Sequence, residues 1–279
     1  MTAMPQQATP DDSTIERFRA AVYDHYERHG RDFPWRRTTD PYCILVSEVM
    51  LQQTQTKRVA QKYVEFIARF PDFGALAGAT TAEVLAAWQG LGYNRRAQAL
   101  HAAARNVCAG FGGRLPPERE ALRSLPGIGP YTAAAVRAFA FNLPDAFIET
   151  NIRTAFIHEF FPGAEGVRDA DILPLIEATL DRDNPRRWYQ ALMDYGAALK
   201  ESGNPSRRSA HHRPQSRFDG SRRQARGVIL RTLLHDGSTT SAELRQRIEG
   251  WDARFDDALE TLKRDCMVSE RDGALFVAP

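Results

Sequence analysis

Two glutamates in this chain lie in apolar surroundings, where a carboxyl group can do acid–base chemistry. Glu48 lies in the run Val46-Ser47-Glu48-Val49-Met50-Leu51, and Glu149 follows Ile148. A carboxyl group removed from water keeps its proton to a higher pH, so it can donate that proton near neutrality. A second carboxylate nearby can stabilise positive charge that develops on a sugar ring. For either acid taken alone, an ordinary ion pair on a helix surface is the commoner alternative.

Between these two acids lies a turn that contains two glycines, Leu125-Pro126-Gly127-Ile128-Gly129-Pro130-Tyr131-Thr132, and an alanine-rich stretch follows it. Gly127 and Gly129 let backbone N–H groups approach a phosphate, and the helix that follows adds the positive end of its dipole. Such a contact is independent of base identity, so it would anchor a nucleic acid without reading its sequence. Taken alone, the motif also fits an ordinary tight turn between helices.

The elements that position these residues are predicted to be helices. Ser13 and Glu16 have the spacing of a capping box, and the helix they begin ends near Gly30. Apolar residues recur at helical spacing over 42–70, which predicts one or two long helices, and again over 96–107. Few stretches show the alternation of a strand. The first two-thirds of the chain is therefore predicted to be all-α.

The segment 201–226 interrupts this pattern, because it contains seven arginines and no Leu, Ile or Val. It can bury too little apolar surface to order its backbone, so we expect a mobile basic loop, either a solvated linker or an arm that contacts DNA. Three predicted helices follow, at 228–234, 241–248 and 255–264, and Arg271-Asp272-Gly273 then predicts a hairpin turn. This order is typical of a winged helix, a module that binds DNA or protein or only packs.

Composition limits the classes of protein that fit. The chain has 279 residues, of which 43% are hydrophobic, and a net charge of +2, so it can form a core but has no strong overall field. No apolar run is long enough to span a bilayer. Residues 1–12 are polar and do not resemble a signal peptide, so we expect a disordered tail on a cytoplasmic, nucleoid-associated protein. Cys43, Cys108 and Cys266 are too far apart for a disulfide framework or a metal cluster.

Five motifs, in this order, resemble those of one known family. They are Phe33-Pro34-Trp35-Arg36, Ser47-Glu48-Val49-Met50-Leu51-Gln52-Gln53-Thr54, Gln89-Gly90-Leu91-Gly92-Tyr93, the turn at 125–132, and Met193-Asp194-Tyr195-Gly196-Ala197. Together they resemble the helix-hairpin-helix DNA glycosylases of the endonuclease III superfamily, and most closely the MutY-type adenine glycosylases. The likeness covers about residues 15–205, and the Glu48 segment is the motif most specific to that branch.

The resemblance implies an all-α, two-lobed helix-hairpin-helix glycosylase fold with a small C-terminal winged-helix-like module. A six-helix barrel would span 36–141 and carry the hairpin. A second helical lobe would combine 13–35 with 142–205, and DNA would bind between the two. The predicted remainder of the chain is a basic linker at 206–226 and the winged-helix-like module at 227–279.

The resemblance also assigns roles to individual residues. Glu48 would be the general acid that protonates a flipped base and later helps to activate water, and Asn151 would support the site. Gly127 and Gly129 would hold a phosphate, in an arrangement that admits a monovalent cation. The residues expected at the gap in the duplex, where they wedge the strand and touch the base opposite, are Gln53, Thr54, Leu91 and Tyr93. Gln52 beside them is also expected to bind DNA.

Glycosylases of this family that also cut the DNA strand carry a lysine at the position of Tyr131. An amine is required to form a Schiff base with the sugar, and tyrosine cannot supply one. The sequence therefore predicts a monofunctional enzyme, without β-lyase activity, that leaves an abasic site.

The chain departs from the family pattern in three respects. The second catalytic carboxylate of the family is an aspartate, whereas Glu149 here is longer by one methylene, which moves the carboxylate by about 1 Å. The positions with the spacing of the family's four cluster cysteines are Lys200, Arg207, Ala210 and Ser216, so we expect no iron–sulfur cluster and no other metal. Instead, Arg207 and Arg208 are predicted to contact phosphate. The short C-terminal module also does not resemble the domain that senses oxidised guanine.

The favoured function is excision of adenine opposite guanine or 8-oxoguanine, by a monomer that binds double-stranded DNA with a mispair or lesion and binds no membrane. One alternative within the same fold is removal of a pyrimidine, namely uracil, mismatched thymine or oxidised thymine. An alternative of another class is a non-catalytic DNA-binding protein, in which the hairpin and the C-terminal module bind but the altered site is silent.

Overall fold

A computed structural model of the chain describes residues 10–214 and 216–278. Over this part the protein is mostly helical. The N-terminal helices are α1 Asp12–His29, α2 Pro41–Leu51, α3 Thr56–Arg69, α4 Phe73–Gly78, α5 Thr81–Ala87, α6 Arg95–Phe111 and α7 Arg119–Ser124. The later helices are α8 Pro130–Phe141, α9 Thr150–Phe160, α10 Asp169–Thr179, α11 Pro185–Ser202, α12 Arg222–Asp236, α13 Ser241–Arg247 and α14 Ala253–Arg264. No helix in the described ranges is both long and apolar enough to cross a membrane.

The predicted all-α character is confirmed, although some helix ends differ from prediction. The cap of α1 is Asp11, whose side chain accepts a hydrogen bond from the Thr14 N–H at 2.8 Å, so the predicted cap at Ser13 is wrong. Asp11 lies two residues before Ser13, and its side chain reaches a free N–H group of the first turn. Asp12 is helical, and residues 1–9 of the predicted tail lie outside the described residues. The range 42–70 contains two helices, α2 and α3, separated by a turn at Gln53, which has φ 55°.

The described chain folds as two compact units. The first comprises residues 10–44, 117–123 and 128–214, and the second comprises 45–116, 124–127 and 216–278. These limits differ from the predicted domain limits, because α8 falls in the first unit and the C-terminal module falls in the second. Within the first unit α8 packs against α11, which explains its grouping.

The core of the first unit is aromatic. The Phe18 ring of α1 meets Phe156 and Trp188 edge-on, with ring centroids 5.2 and 5.8 Å apart. Edge-to-face contacts of this kind add to the free energy gained from burying the rings. They fasten α1 to α9 and α11, the two helices that carry the functional motifs of this unit.

The C-terminal part of the second unit forms the predicted three helices and hairpin. Strands β2 Val268–Arg271 and β3 Ala274–Val277 pair antiparallel, and both turn residues, Asp272 and Gly273, have positive φ, as a two-residue hairpin turn requires. Prediction missed a third strand, β1 Ser238–Thr240, which pairs with β3 to give the order β1-β3-β2. A strand of three residues is too short to show a detectable alternation.

The predicted basic loop is more ordered than expected. Pro205–Arg208 forms a turn of 3₁₀ helix, Ser209 bridges to Val167, and α12 already begins at Arg222. The sequence argument considered only apolar burial, whereas this segment is held by backbone hydrogen bonds such as that from the Ala210 N–H to the Val167 carbonyl, 2.9 Å. The prediction that residues 201–226 form a mobile loop is therefore wrong for the first and last thirds of this segment.

Candidate active site

Glu48 lies inside the second unit, on helix α2. Its residue is 5% exposed, and Val46, Ser47 and Met50 around it are buried as well. A helix that is apolar on all sides is a buried helix, and α2 follows this rule. The alternative of an ion pair on the outer surface is therefore wrong for Glu48, which lies where a proton donor is shielded from water.

Arg96, on α6, holds the end of the helix that carries Glu48. Its Nη1 donates to the carbonyl oxygens of Val49 at 2.7 Å, Met50 at 2.9 Å and Gln52 at 2.6 Å. Its Nη2 donates to Thr54 Oγ1 at 3.0 Å. The last carbonyls of a helix have no partner within the helix and carry partial negative charge, so a cation there satisfies both needs. Sequence analysis missed this contact, because the two segments are more than forty residues apart.

The same guanidinium group fixes a second loop. Nη2 lies 3.2 Å from the Gly92 carbonyl oxygen, and the guanidinium packs 5.5 Å from the centre of the Trp88 ring and 5.3 Å from that of Tyr93. Burial lowers the pKa of Arg96 to about 10, so the group stays protonated at neutral pH. The two loops that were predicted to touch DNA are thus joined through one half-buried guanidinium group, that of Arg96.

Of the side chains expected to contact DNA from these two loops, Leu91 is the one that the structure places in the interior. Gln53 is exposed at the tip of its turn, with φ 55°, and Thr54 is half-buried. Tyr93 also has positive φ, 49°, which is costly for a side chain of this size. Leu91, by contrast, is 3% exposed and packs inside the unit. The wedge predicted at Leu91 would require its side chain to leave this packing, so Gln53 is better placed for that role.

The turn after α7 uses its two glycines differently. Gly127 has φ 76°, and a Cβ added there would lie 2.6 Å from the Ala99 Cβ, so only glycine fits this close approach. Gly129 caps α8 ahead of Pro130, and a Cβ added there would meet nothing within 4 Å. The backbone at Gly129 is therefore open to approach, as phosphate binding at a helix N-terminus requires.

Glu149, in the first unit, caps helix α9. Its Oε1 accepts hydrogen bonds from the N–H groups of Asn151 at 2.7 Å and Ile152 at 2.8 Å, so the cap does not use Oε2. Burial raises the pKa of Glu149, while the two backbone bonds and the charges of Lys200 and Arg153 oppose that rise. The sequence predicted a catalytic carboxylate here but not its structural role as a cap.

Asn151 lies in the first turn of α9, where α11 approaches it very closely. A Cβ added at Gly196 would lie 1.9 Å from the Asn151 carbonyl oxygen, so any larger residue would push the two helices apart. Lys200, one turn further along α11, places its Nζ 3.4 Å from Asn151 Oδ1. The motif Met193–Ala197 therefore sets the position of the helix that Glu149 caps.

The same motif anchors the N-terminal part of the first unit. Asp194 is buried and accepts hydrogen bonds from Arg31 Nε at 2.7 Å and from Arg36 Nη1 at 2.7 Å. Burial alone would raise the pKa of Asp194, but the bonds from Arg36 and Arg31 lower it overall. The motif Phe33-Pro34-Trp35-Arg36 is thus structural in this protein, because Arg36 neutralises a buried carboxylate.

Tyr131 is the second residue of α8 and also belongs to the first unit. Its ring packs edge-on to Phe147, with centroids 5.7 Å apart. The phenol thus lies at the predicted point of the fold, directly after the hairpin. It supplies a hydroxyl group there and no amine.

The residues present do not fit an iron–sulfur cluster, because positions 200, 207, 210 and 216 offer an ammonium, a guanidinium, a methyl and a hydroxyl group instead of four thiols. Nor do the described ranges contain a group of three or more His, Cys, Asp or Glu side chains suited to a metal ion. Arg208 instead ties this segment to the end of α9, since its guanidinium donates to the carbonyls of Phe161 at 2.5 Å and Ile157 at 3.2 Å. Its predicted phosphate contact is therefore corrected to a structural role, while Arg207 remains exposed.

Known proteins resemble this chain in sequence and in fold. The model of the HhH-GPD superfamily of base excision DNA repair proteins matches residues 46–214. The chain belongs to this superfamily. The adenine DNA glycosylase of Mycobacterium tuberculosis is 35% identical over 91% of this chain and 91% of its own length. The thymine/uracil-DNA glycosylase of Methanothermobacter thermautotrophicus is 31% identical over 68% of this chain and 88% of its own length.

A solved thermostable thymine-DNA glycosylase is 29% identical, with a TM-score of 0.60 over 67% of this chain and 87% of that one. The chain therefore has the fold of this superfamily. The mycobacterial match also extends into the C-terminal module, because the 9% of the chain outside it is shorter than the segment 227–279. Part of the segment 227–279 is therefore matched by a protein named adenine DNA glycosylase.

Proposed function

We propose that this protein is a DNA glycosylase of base excision repair that flips mispaired adenine out of the duplex and hydrolyses its N-glycosidic bond without cutting the strand. The observation that carries this proposal is the near full-length match, at 35% identity, to a protein named adenine DNA glycosylase. The burial of Glu48 supports it, because a carboxyl group shielded from water keeps its proton more readily and can donate it to a base.

In the proposed reaction Glu48 gives its proton to the extruded base as the bond to the sugar breaks. The bonding electrons leave with the base, which departs neutral, and positive charge develops on the sugar. Water then attacks the anomeric carbon and loses a proton to the Glu48 carboxylate, which restores the acid. Arg96 contributes by holding the C-terminal end of α2, on which Glu48 lies.

Glu149 is proposed to stabilise the positive charge on the sugar. Its carboxylate is fixed by two backbone N–H groups. Burial raises the pKa of Glu149 overall, and the charges of Lys200 and Arg153 oppose this rise and so favour the charged form. A fixed negative charge of this kind costs little reorganisation when the cation forms. Asn151, held against α11, keeps the capped turn in place.

DNA contact is proposed for Gly127, Gly129, Gln53 and Arg207. The hairpin glycines would hold a phosphate, and the exposed Gln53 tip would occupy the space left by the flipped base. Unpairing a base costs a few kcal/mol, and least at a mispair, so the flipping step itself favours mispaired sites. Since one protein molecule binds one flipped base, we propose that the protein acts as a monomer.

The base specificity is tested with a panel of duplexes that each carry one mispair or lesion, followed by alkali to cleave abasic sites. We expect cleavage of the adenine strand opposite guanine and 8-oxoguanine, and none of a fully paired duplex. Cleavage confined to a pyrimidine strand would overturn the adenine assignment. Binding without cleavage of any duplex would indicate a non-catalytic DNA-binding protein.

The absence of strand cutting is tested by treating the reaction with borohydride, which traps a Schiff base as a covalent protein–DNA adduct. We expect no adduct, because the position after the hairpin is Tyr131. The Lys200 Nζ lies 3.4 Å from Asn151 Oδ1, so this amine is adjacent to a residue of the proposed site. An adduct that is lost in Lys200→Gln would therefore contradict the proposal and identify the amine.

A second candidate function, excision of thymine or uracil, is favoured by one specific observation. The solved structure of a thymine-DNA glycosylase shares the fold at 29% identity. The same panel separates the two functions, because duplexes with G·T and G·U pairs would then be cleaved in the pyrimidine strand.

A further inference from the structure

The second unit contains a cavity of about 790 Å³ whose walls are rich in arginine. One wall is a face of α12, the first helix of the C-terminal module. The residues of this face recur at helical spacing, and its cations are Arg222, Arg223, Arg226 and Arg231. The facing wall carries three more, Arg58 of α3 and Arg95 and Arg96 of α6. No Asp or Glu is among the described residues that line this cavity.

This positive charge is only partly neutralised. Asp265 pairs with both Arg95, at 2.6 Å, and Arg226, at 2.7 Å, and Asp257 pairs with Arg222 at 3.1 Å. Two carboxylates thus compensate seven guanidinium groups, in a chain whose net charge is +2. A concave surface with charge of one sign concentrates counter-ions and anionic ligands.

The cavity walls are fixed to one another. Besides the shared Asp265, the Gln98 side chain donates to the Asp265 carbonyl at 3.0 Å. Arg223 donates to the Tyr93 hydroxyl and, at 2.7 Å, to the Ser216 carbonyl. Helix α12 also packs on α5. The C-terminal module therefore presents its arginines in a set geometry beside the loops that carry Gln53 and Tyr93.

One aromatic side chain stands exposed among these cations. Phe218 lines the cavity and is 57% exposed, a rare position for so large an apolar group in the described chain. Guanidinium forks bind phosphate oxygens in pairs, and exposed aromatic rings are surfaces on which nucleobases stack. A volume of about 790 Å³ also exceeds what a single phosphate fills.

We propose that this cavity binds the sugar–phosphate backbone of DNA, with a base stacked on Phe218, and that the C-terminal module is therefore part of the DNA-binding surface. This inference rests on the proposed function, since it extends the surface of the same DNA-binding protein. The cations available for phosphate are Arg58 and Arg231, which are exposed and lie on opposite walls.

The test compares Arg58→Gln/Arg231→Gln with Arg264→Gln, which removes an exposed arginine of the same module that does not line the cavity. Duplex affinity is measured by fluorescence anisotropy over a range of salt concentrations, with Glu48→Gln added to every protein so that the DNA is not consumed. Each phosphate contact contributes about 0.9 to the slope of log affinity against log salt. We expect the slope of the double variant to fall by about 1.8, with an affinity loss of at least about tenfold at low salt, and no change for Arg264→Gln.

Phe218→Ala provides a second, independent readout. Because stacking involves no counter-ion release, this variant is expected to weaken binding several-fold at every salt concentration without a change in slope. The proposal is overturned if the double variant keeps the slope and affinity of Arg264→Gln while its melting temperature is unchanged. Failure of the proposed function gives a different result. The wild type then cleaves no mispair, whereas the slope of log affinity against log salt still falls in the double variant.

Discussion

Glu48 and Glu149 show two ways in which a protein holds a reactive carboxyl group. Glu48 lies near the C-terminal end of a buried helix, and Arg96 fixes that end. Glu149 is placed by its own hydrogen bonds to the turn that it caps. Its position is therefore coupled to α9, and α9 is in turn set by its close contact with α11 at Gly196.

Glu149→Asp restores the family residue and tests whether the longer side chain is required. Aspartate is a good N-cap, so we expect the melting temperature to be retained. We expect the single-turnover rate of excision to fall, because the cap would draw the shorter carboxylate back by about 1 Å. Glu149→Gln is the matched control: it keeps the size, removes the charge and should lose more activity than Glu149→Asp. Full activity of Glu149→Gln would exclude a role in charge stabilisation.

Lys200→Met tests the electrostatic support of Glu149. The Lys200 charge opposes the burial that raises the pKa of Glu149, so its removal raises that pKa further. Since the proposed role requires the ionised carboxylate, the acid limb of the pH–rate profile should move to higher pH. Lys200→Arg keeps the charge and should leave that limb close to the wild-type position. An unchanged profile for Lys200→Met would show that this charge does not act on the reaction.

At the residue scale, sequence analysis identified residues that belong to a known motif. It missed residues whose partners lie far away along the chain. Glu48 and Gly127 were predicted from their neighbours in the chain. Arg96 and Lys200 were not, because their partners lie more than forty residues away. Leu91 and Arg208 were assigned to DNA by position, and the structure places one in the interior and the other on helix carbonyls.

At the scale of elements, the hairpin after α7 depends on glycine for two separate reasons. Gly127→Ala places a methyl group 2.6 Å from Ala99 and forces a residue with a side chain to adopt φ 76°. We expect a loss of about 2–4 kcal/mol in the free energy of unfolding, measured by denaturant titration. Gly129→Ala, where the added methyl meets nothing within 4 Å, is the control and should stay within about 1 kcal/mol. Equal stability of the two variants would contradict this account.

Helices were predictable because apolar spacing and caps are local signals. The first helix ends at its predicted glycine, Gly30, and the hairpin turn falls at Asp272-Gly273 as predicted. Strand β1 and the ordered part of the basic segment depend on partners elsewhere in the chain. For the basic segment these are Val167 and the carbonyls at the end of α9, which no local pattern reveals.

For the molecule as a whole, arginine side chains join separate segments of the chain and neutralise buried charge. Arg208 joins the segment after α11 to α9, and Arg36 neutralises the buried Asp194. Seven further arginines line the cavity of the second unit. Because acidic residues nearly balance the basic ones, the net charge is only +2. The composition alone therefore did not reveal the local concentration of arginine at the proposed DNA-binding surface.

The most direct test of the account is the rate of adenine excision from an A·G and an A·8-oxoguanine duplex under single-turnover conditions, for the wild type and Glu48→Gln. The account predicts adenine release by the wild type, a rate lower by about 10²–10⁴-fold in Glu48→Gln, and unchanged duplex binding by that variant. Equal rates for the two proteins would contradict it, as would release of no adenine by a wild type that binds both duplexes.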